Sequence, residues 1–135
     1  MFQVEDLDHV GLLVTDMERS VRWYRDVLGM DRSYQTVWNG GGNPVVMARG
    51  RVELALFPVQ PGLRPPHHIN EHVAIRVDPD NFAVARRELR DRGVPLKVMN
   101  HTISDSLYIF DPDGNQIEIT TYMWDKSRSM GKVEP

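Results

Sequence analysis

Histidine and glutamate recur at similar places in the two halves of this 135-residue sequence. His9 and His72 each precede a valine at the start of an apolar run, and 63 positions separate them. Glu53 and Glu118 each lie between apolar residues near the end of a half, 65 positions apart. A buried carboxylate is costly unless it is paired or binds a metal, and imidazole with carboxylate suits Fe(II), Mn(II), Ni(II) or Zn(II). The four residues therefore predict a metal site, with core histidines and an ion-paired glutamate as the alternative interpretation.

The elements that would position these residues begin with a strand and a helix. Residues 7–14 form a short apolar and β-branched run, which is typical of a buried strand. A capping box at Thr15 and Glu18, apolar residues at helical spacing and a glycine at position 29 predict a helix over 17–28. Three further strands, separated by turns, are predicted at 34–38, 45–48 and 52–57.

The second half repeats this order after a segment with four prolines between positions 58 and 66. A strand is predicted at 72–77, and Asp78 with Pro79 suits the start of a helix that ends near Gly93. Three more strands are predicted at 96–99, 106–110 and 116–121. The sequence therefore predicts one α+β domain of two βαβββ modules, with a first module at about 5–58, a linker at about 59–69, a second module at about 70–124 and a polar tail at 125–135.

Composition excludes several classes of function. The chain has no cysteine, so it offers no disulfide framework, no thiolate metal site and no cysteine nucleophile. Its 16 basic and 19 acidic residues give a net charge of −3, which predicts no nucleic-acid partner and no anionic membrane partner. No apolar run approaches membrane-spanning length, and the acidic N-terminus is unlike a signal peptide. A cytoplasmic location is the expectation.

Three segments, at 7–30, 72–77 and 106–119, resemble the vicinal oxygen chelate superfamily of glyoxalases, bleomycin-resistance proteins and extradiol ring-cleaving dioxygenases. The resemblance implies mixed sheets curled around a shared metal-binding cavity. It also implies a divalent ion held by His9, His72 and Glu118, with Fe2+ or Mn2+ favoured and Ni2+ or Zn2+ as alternatives. Family members of this length commonly form homodimers, so His9 could belong to a partner chain.

Two further residues bear on the branch of the superfamily. The run from His101 to Tyr108 resembles the His-x-x-Ser-x-x-x-Tyr pattern of small catechol 2,3-dioxygenase relatives. The resemblance implies that Tyr108 binds an oxygen of the substrate and that His101 shuttles a proton, although a solvated loop histidine and a core tyrosine are the plain alternative. The expected function is a metal-dependent enzyme on a small oxygenated substrate, most like an extradiol dioxygenase.

Two other functions stay open. A glyoxalase I-type lyase would use Glu53 as a fourth ligand, and a drug-binding protein of the bleomycin-resistance type would need no catalysis at all. Trp38, His67 and His68 are the candidate substrate-binding residues outside the metal site.

Overall fold

The computed structural model describes residues 1, 3, 7, 9–33, 44–59 and 72–122. The chain divides into two compact units, of which the first comprises Met1–Ile69 with Asp111–Asn115 and the second comprises the remainder. No helix in the described ranges has the length and apolar character needed to cross a membrane.

The first unit contains one helix and a four-stranded mixed sheet. Its elements are β1 (Val10–Val14), α1 (Met17–Leu28), β2 (Asp31–Ser33), β3 (Val45–Arg49) and β4 (Val52–Pro58). The strand order is β1-β4-β3-β2, in which β1 and β4 are parallel and the other pairs are antiparallel. Both central strands carry runs of three consecutive buried residues, at 45–47 in β3 and 54–56 in β4, and Tyr24 of α1 is fully buried as well.

The second unit repeats this arrangement. Its elements are β5 (Val73–Arg76), α2 (Pro79–Asp91), β6 (Lys97–Asn100), β7 (Ser104–Phe110) and β8 (Gln116–Tyr122). The strand order is β5-β8-β7-β6, again with one parallel pair, β5 and β8. The predicted order of two βαβββ modules with mixed sheets is therefore confirmed.

The sheet of the second unit has one apolar face and one polar face. Leu107 lies opposite Ile119 and Ile109 opposite Ile117, and all four side chains are buried. Because side chains alternate along a strand, the residues between them point the other way. Ser106, Tyr108, Glu118 and Thr120 therefore share the opposite face.

The helix starts confirm one sequence prediction and correct another. Asp78 caps α2, where its carboxylate accepts from the Asn81 backbone N–H, and Pro79 lies in the first turn as expected. The expected capping box of Thr15 and Glu18 is wrong, because Asp16 caps α1 by accepting from the Arg19 N–H. Thr15 instead donates its hydroxyl to Asp113, a long-range partner that local spacing does not reveal.

Several strand boundaries also differ from expectation. The short β2 was not predicted, because Asp31–Ser33 is polar and lacks an apolar face. The strand expected at 34–38 lies outside the described residues, as do most of the linker and the whole tail. In the second unit β7 begins two residues earlier than predicted, at Ser104.

Candidate metal and substrate site

His72 and Glu118 meet on the polar face of the second unit. Ala74 lies opposite Glu118 in the parallel pair of β5 and β8, and His72 stands two residues before Ala74, on the same face. His72 Nε2 lies 2.8 Å from Glu118 Oε2. The carboxylate is the more buried partner, with 10% of the side chain exposed against 32% for His72. The register of two strands therefore brings together two of the predicted ligands.

The second oxygen of Glu118 has its own partner. The Ser106 hydroxyl donates to Glu118 Oε1 at 2.6 Å, and Ser106 is fully buried. Ser106 Oγ also lies 3.0 Å from Thr120 Oγ1, which lies 3.3 Å from the Asp105 carbonyl oxygen. Our sequence interpretation missed Ser106, although its even spacing from Tyr108 along β7 was a signal that both share one face.

Tyr108 connects this pair to His101. Tyr108 lies directly opposite Glu118 in the antiparallel pair of β7 and β8. Its ring stands edge-on to the His72 ring, with centroids 6.0 Å apart. His101 Nε2 lies 3.0 Å from the Tyr108 hydroxyl oxygen. The structure therefore brings both predicted substrate residues to the face that carries His72 and Glu118.

A tight turn between β6 and β7 fixes His101. The His101 N–H donates to the Ser104 carbonyl at 2.8 Å. Thr102 has a φ of 73°, a left-handed conformation that is unfavourable for a β-branched residue. Its N–H donates to Asn100 Oδ1, and Asn100 Nδ2 donates to Asp105 Oδ1. These bonds hold the strained turn in place and with it the His101 backbone.

The turn before β8 is held by a buried carboxylate. Asp111 accepts the Tyr24 hydroxyl at 2.8 Å and three further hydrogen bonds, from the Asp113 N–H and from the backbone and side chain of Asn115. Burial, together with the negative charge of Asp111, raises the pKa of Tyr24 above its ordinary value. Because this turn leads directly into β8, it helps to fix where the strand with Glu118 begins.

The first unit holds the other predicted ligands. His9 is exposed and immediately precedes β1. The same 63 positions separate Val10 from Val73 and Leu54 from Ile117, two residue pairs that are aligned in their sheets. His9 therefore corresponds to His72, as expected.

The two glutamates, by contrast, are not equivalent. By the same offset Glu53 corresponds to Gln116, and Ala55 occupies the place of Glu118. The expectation of a matched pair is wrong by two residues, because the separation of 65 read from the sequence ignores the strand register. Glu53 is half-buried opposite Ala48, and the repeat gives no independent support for it as a fourth ligand.

The pair of His72 and Glu118 is an incomplete ligand set. In the part of the chain that the structure describes, no group of three or more histidine, cysteine, aspartate or glutamate side chains lies close enough to hold a metal ion. Trp38, His67 and His68 lie outside the described residues.

Comparison with known proteins assigns the family. The family model of the Glyoxalase/Bleomycin resistance protein/Dioxygenase superfamily matches residues 6–119. The chain belongs to this superfamily. Its fold is also that of a solved glyoxalase/dioxygenase structure from Nostoc punctiforme, with a TM-score of 0.71 and 24% identity over 88% of this chain and 92% of that chain.

Two curated superfamily relatives carry different activities in their names. Glutathione transferase FosA from Serratia marcescens is 26% identical over 116 residues, which are 86% of this chain and 80% of the relative. Catechol-2,3-dioxygenase from Bacillus subtilis is 27% identical over 127 residues, and the match covers 88% of this chain. The chain spans only 43% of that dioxygenase. The comparisons therefore assign the superfamily but do not distinguish between these two reactions.

Proposed function

We propose that this chain is a divalent-metal-dependent enzyme that opens the ring of a small catechol-type substrate with dioxygen. The carrying observation is the 3.0 Å contact between His101 and Tyr108 on the sheet face that holds His72 and Glu118. A tyrosine hydroxyl and an imidazole in hydrogen-bond contact can bind a substrate oxygen and move its proton. Their position next to two metal-capable side chains supports an oxygenated substrate.

The spacing of His72 and Glu118 suits two ligands of one divalent ion. Two ligand atoms about 2.1 Å from one ion and at a right angle lie about 3 Å apart, close to the 2.8 Å between His72 Nε2 and Glu118 Oε2. His9 is the proposed third ligand, because it is the counterpart of His72 in the internal repeat. Fe2+ or Mn2+ is the proposed ion. Bound there, it would hold the substrate oxygens and dioxygen side by side.

The protein side chains would then divide the remaining work. The Tyr108 hydroxyl directs its hydrogen to His101 Nε2 and accepts the hydrogen of a substrate hydroxyl, which fixes the orientation of the ring. When the substrate hydroxyl loses its proton, the proton passes to the Tyr108 oxygen while the Tyr108 hydrogen moves to His101 Nε2, and the imidazole later returns it, because a ring nitrogen can both accept and donate a proton. Ser106 holds the Glu118 carboxylate, and the turn around Thr102 holds the His101 backbone.

The first experiment is reconstitution with Fe(II) in the absence of air, followed by catechol and dioxygen. The expected result is a yellow ring-fission product, recorded by absorbance. The Glu118→Ala variant should bind no metal by elemental mass spectrometry and should remain folded by circular dichroism, because the carboxylate lies on a polar face and not in the apolar core. Full metal retention in this variant would refute the proposed site.

A second candidate is transfer of a thiol to a small oxygenated substrate. The observation that favours it is the similarity to glutathione transferase FosA, which is 26% identical to this chain over 116 residues. The test is incubation of the Mn2+-loaded protein with glutathione and fosfomycin, with product detection by mass spectrometry. A thiol adduct without ring fission would favour this candidate.

Isomerisation of a hemithioacetal by the Ni2+-loaded protein would instead favour a glyoxalase I-type reaction.

Absence of all three reactions in a protein that binds the metal would contradict the catalytic proposal. The remaining interpretation would then be a small-molecule-binding protein of the bleomycin-resistance type.

A further inference from the structure

The two oxygens of Glu118 are in different environments. Oε2 faces His72 Nε2 at 2.8 Å, whereas Oε1 accepts the Ser106 hydroxyl at 2.6 Å. The distance of 2.6 Å between Ser106 Oγ and Glu118 Oε1 is shorter than that of most hydroxyl hydrogen bonds and is typical of a charge-assisted bond to a carboxylate. The two oxygens are therefore not interchangeable in this fold.

The direction of the bond to Ser106 follows from the available hydrogens. An ionised carboxylate has none, so the hydroxyl of Ser106 must supply the hydrogen between Ser106 and Glu118. Thr120, 3.0 Å from Ser106 Oγ, can direct its own hydrogen to Ser106 or to the Asp105 carbonyl oxygen. If Thr120 donates to Ser106, the Ser106 hydrogen is left for Glu118. If Thr120 donates to the Asp105 carbonyl, its hydroxyl oxygen could accept from Ser106, but it is a weaker acceptor than the charged carboxylate of Glu118.

The position of Ser106 is rigid. Ser106 lies opposite Thr120 in the antiparallel pair of β7 and β8. Two residues further along β7, on the same face, Tyr108 lies opposite Glu118. Ser106 is fully buried, so water does not compete for its hydroxyl. A hydrogen bond between side chains on two paired central strands fixes the rotamer of the glutamate.

We infer that Ser106 is a positioning residue that occupies Oε1 and leaves Glu118 to bind a metal through Oε2 alone. This inference rests on the proposed function, because it concerns the same ion. A carboxylate that binds a metal ion through one oxygen occupies one coordination position, whereas a carboxylate that binds through both oxygens occupies two. The hydroxyl therefore keeps an additional position open for the substrate.

The test compares Ser106→Ala with Thr120→Val, a matched control that removes the neighbouring hydroxyl and keeps a branched side chain. Mn2+ affinity is measured by competition with a chromogenic chelator. Ser106→Ala should weaken binding by about 10- to 100-fold, as is usual when a partner of a metal ligand is lost, whereas Thr120→Val should change it by less than about threefold. X-ray absorption of the Mn2+-loaded Ser106→Ala protein should show the carboxylate bound through both oxygens.

A partial replacement keeps the test decisive if the alanine variant folds poorly. Ser106→Cys retains a weaker donor of similar shape and should give an intermediate affinity. The role of Ser106 would be overturned if both Ser106 variants bound Mn2+ with wild-type affinity and through one carboxylate oxygen. Loss of Mn2+ binding in Glu118→Ala would show at the same time that the proposed metal site is intact. Undiminished Mn2+ binding in Glu118→Ala would refute the proposed function itself.

Discussion

At the scale of single residues, the site depends on side chains that are useful only in combination. Glu118 is buried, and its carboxylate would be costly to bury without the partners that flank it, His72 and Ser106. Tyr108 likewise lies between His72 and His101. Removal of one member therefore changes the environment of the others.

His101 and Tyr108 should act as one unit. Because their side chains share a hydrogen bond at 3.0 Å, His101→Ala and Tyr108→Phe should each lower kcat/KM by about 100-fold, and the double variant should lose little more. Metal content, measured in parallel, should stay at the wild-type level. Losses that multiply to about 10⁴-fold would show that the two residues act independently.

Tyr24→Phe tests the buried bond to Asp111. The substitution should lower the free energy of unfolding by about 1.5 kcal/mol at pH 8, because a hydrogen bond to a charged acceptor is lost. The pKa of Tyr24 is raised by burial and by Asp111, so above pH about 10 the unfolded state releases a proton that the native state retains. The greater stability of the wild type over Tyr24→Phe should therefore be lost as the pH rises beyond 10.

Urea unfolding at pH 8 and near pH 11 measures both effects of Tyr24→Phe. The gap between the wild type and the variant should narrow by about 1.4 kcal/mol for each pH unit above 10. Tyr122→Phe, at the end of β8, is the control for loss of a tyrosine elsewhere. An equal gap at both pH values would contradict this account.

At the scale of elements, the turn between β6 and β7 carries strain beside the site. Thr102 has a φ of 73° and is exposed, and asparagine tolerates this region better than a β-branched residue. The hydrogen bonds of the Asn100 side chain and the bond from the His101 N–H to the Ser104 carbonyl hold the turn against that strain.

Thr102→Asn should raise the free energy of unfolding by about 0.5–1 kcal/mol, since it relieves the left-handed strain without a change in the backbone bonds. Thermal or urea unfolding measures the gain. The neighbouring Ile103→Asn is the matched control, because Ile103 is exposed and does not have a positive φ. A gain of the same size in both variants would show that added polarity, and not relief of strain, is the cause.

At the scale of the whole molecule, the two units are not two consecutive stretches of chain. The turn at Asp111–Asn115 belongs to the first unit, while the strands on either side of it belong to the second. The chain therefore passes from one unit to the other three times.

A homodimer is the proposed assembly, with a mass near 31 kDa by light scattering, twice the 15.5 kDa of one chain. If the partner chain supplies His9, a mixture of His9→Ala and Glu118→Ala chains should recover activity. Half of the randomly mixed dimers contain both variants and each has one intact site, so recovery should reach about a quarter of the wild-type level. A monomeric mass, or no recovery after exchange, would exclude the shared site.

Much of this protein could be read from local patterns. Period-two and helical apolar spacing predicted both modules, because such patterns follow from which side of an element is buried. Asp78 and Pro79 predicted the start of α2. The alternation from Ser106 to Tyr108 would also have placed both on one face, although our sequence interpretation did not use it. The candidate ligands His9, His72 and Glu118 were also evident from residue type and from resemblance.

Only the tertiary structure decided how those residues combine. Strand register, which depends on packing across the sheet, separates Glu53 from its supposed counterpart and sets Glu118 within 2.8 Å of His72. The same long-range packing gives Thr15 a partner in Asp113 and gives Glu118 its bond to Ser106. Local sequence determines which face a side chain takes, whereas its neighbours on that face come from distant parts of the chain and are set by the energy of the whole fold.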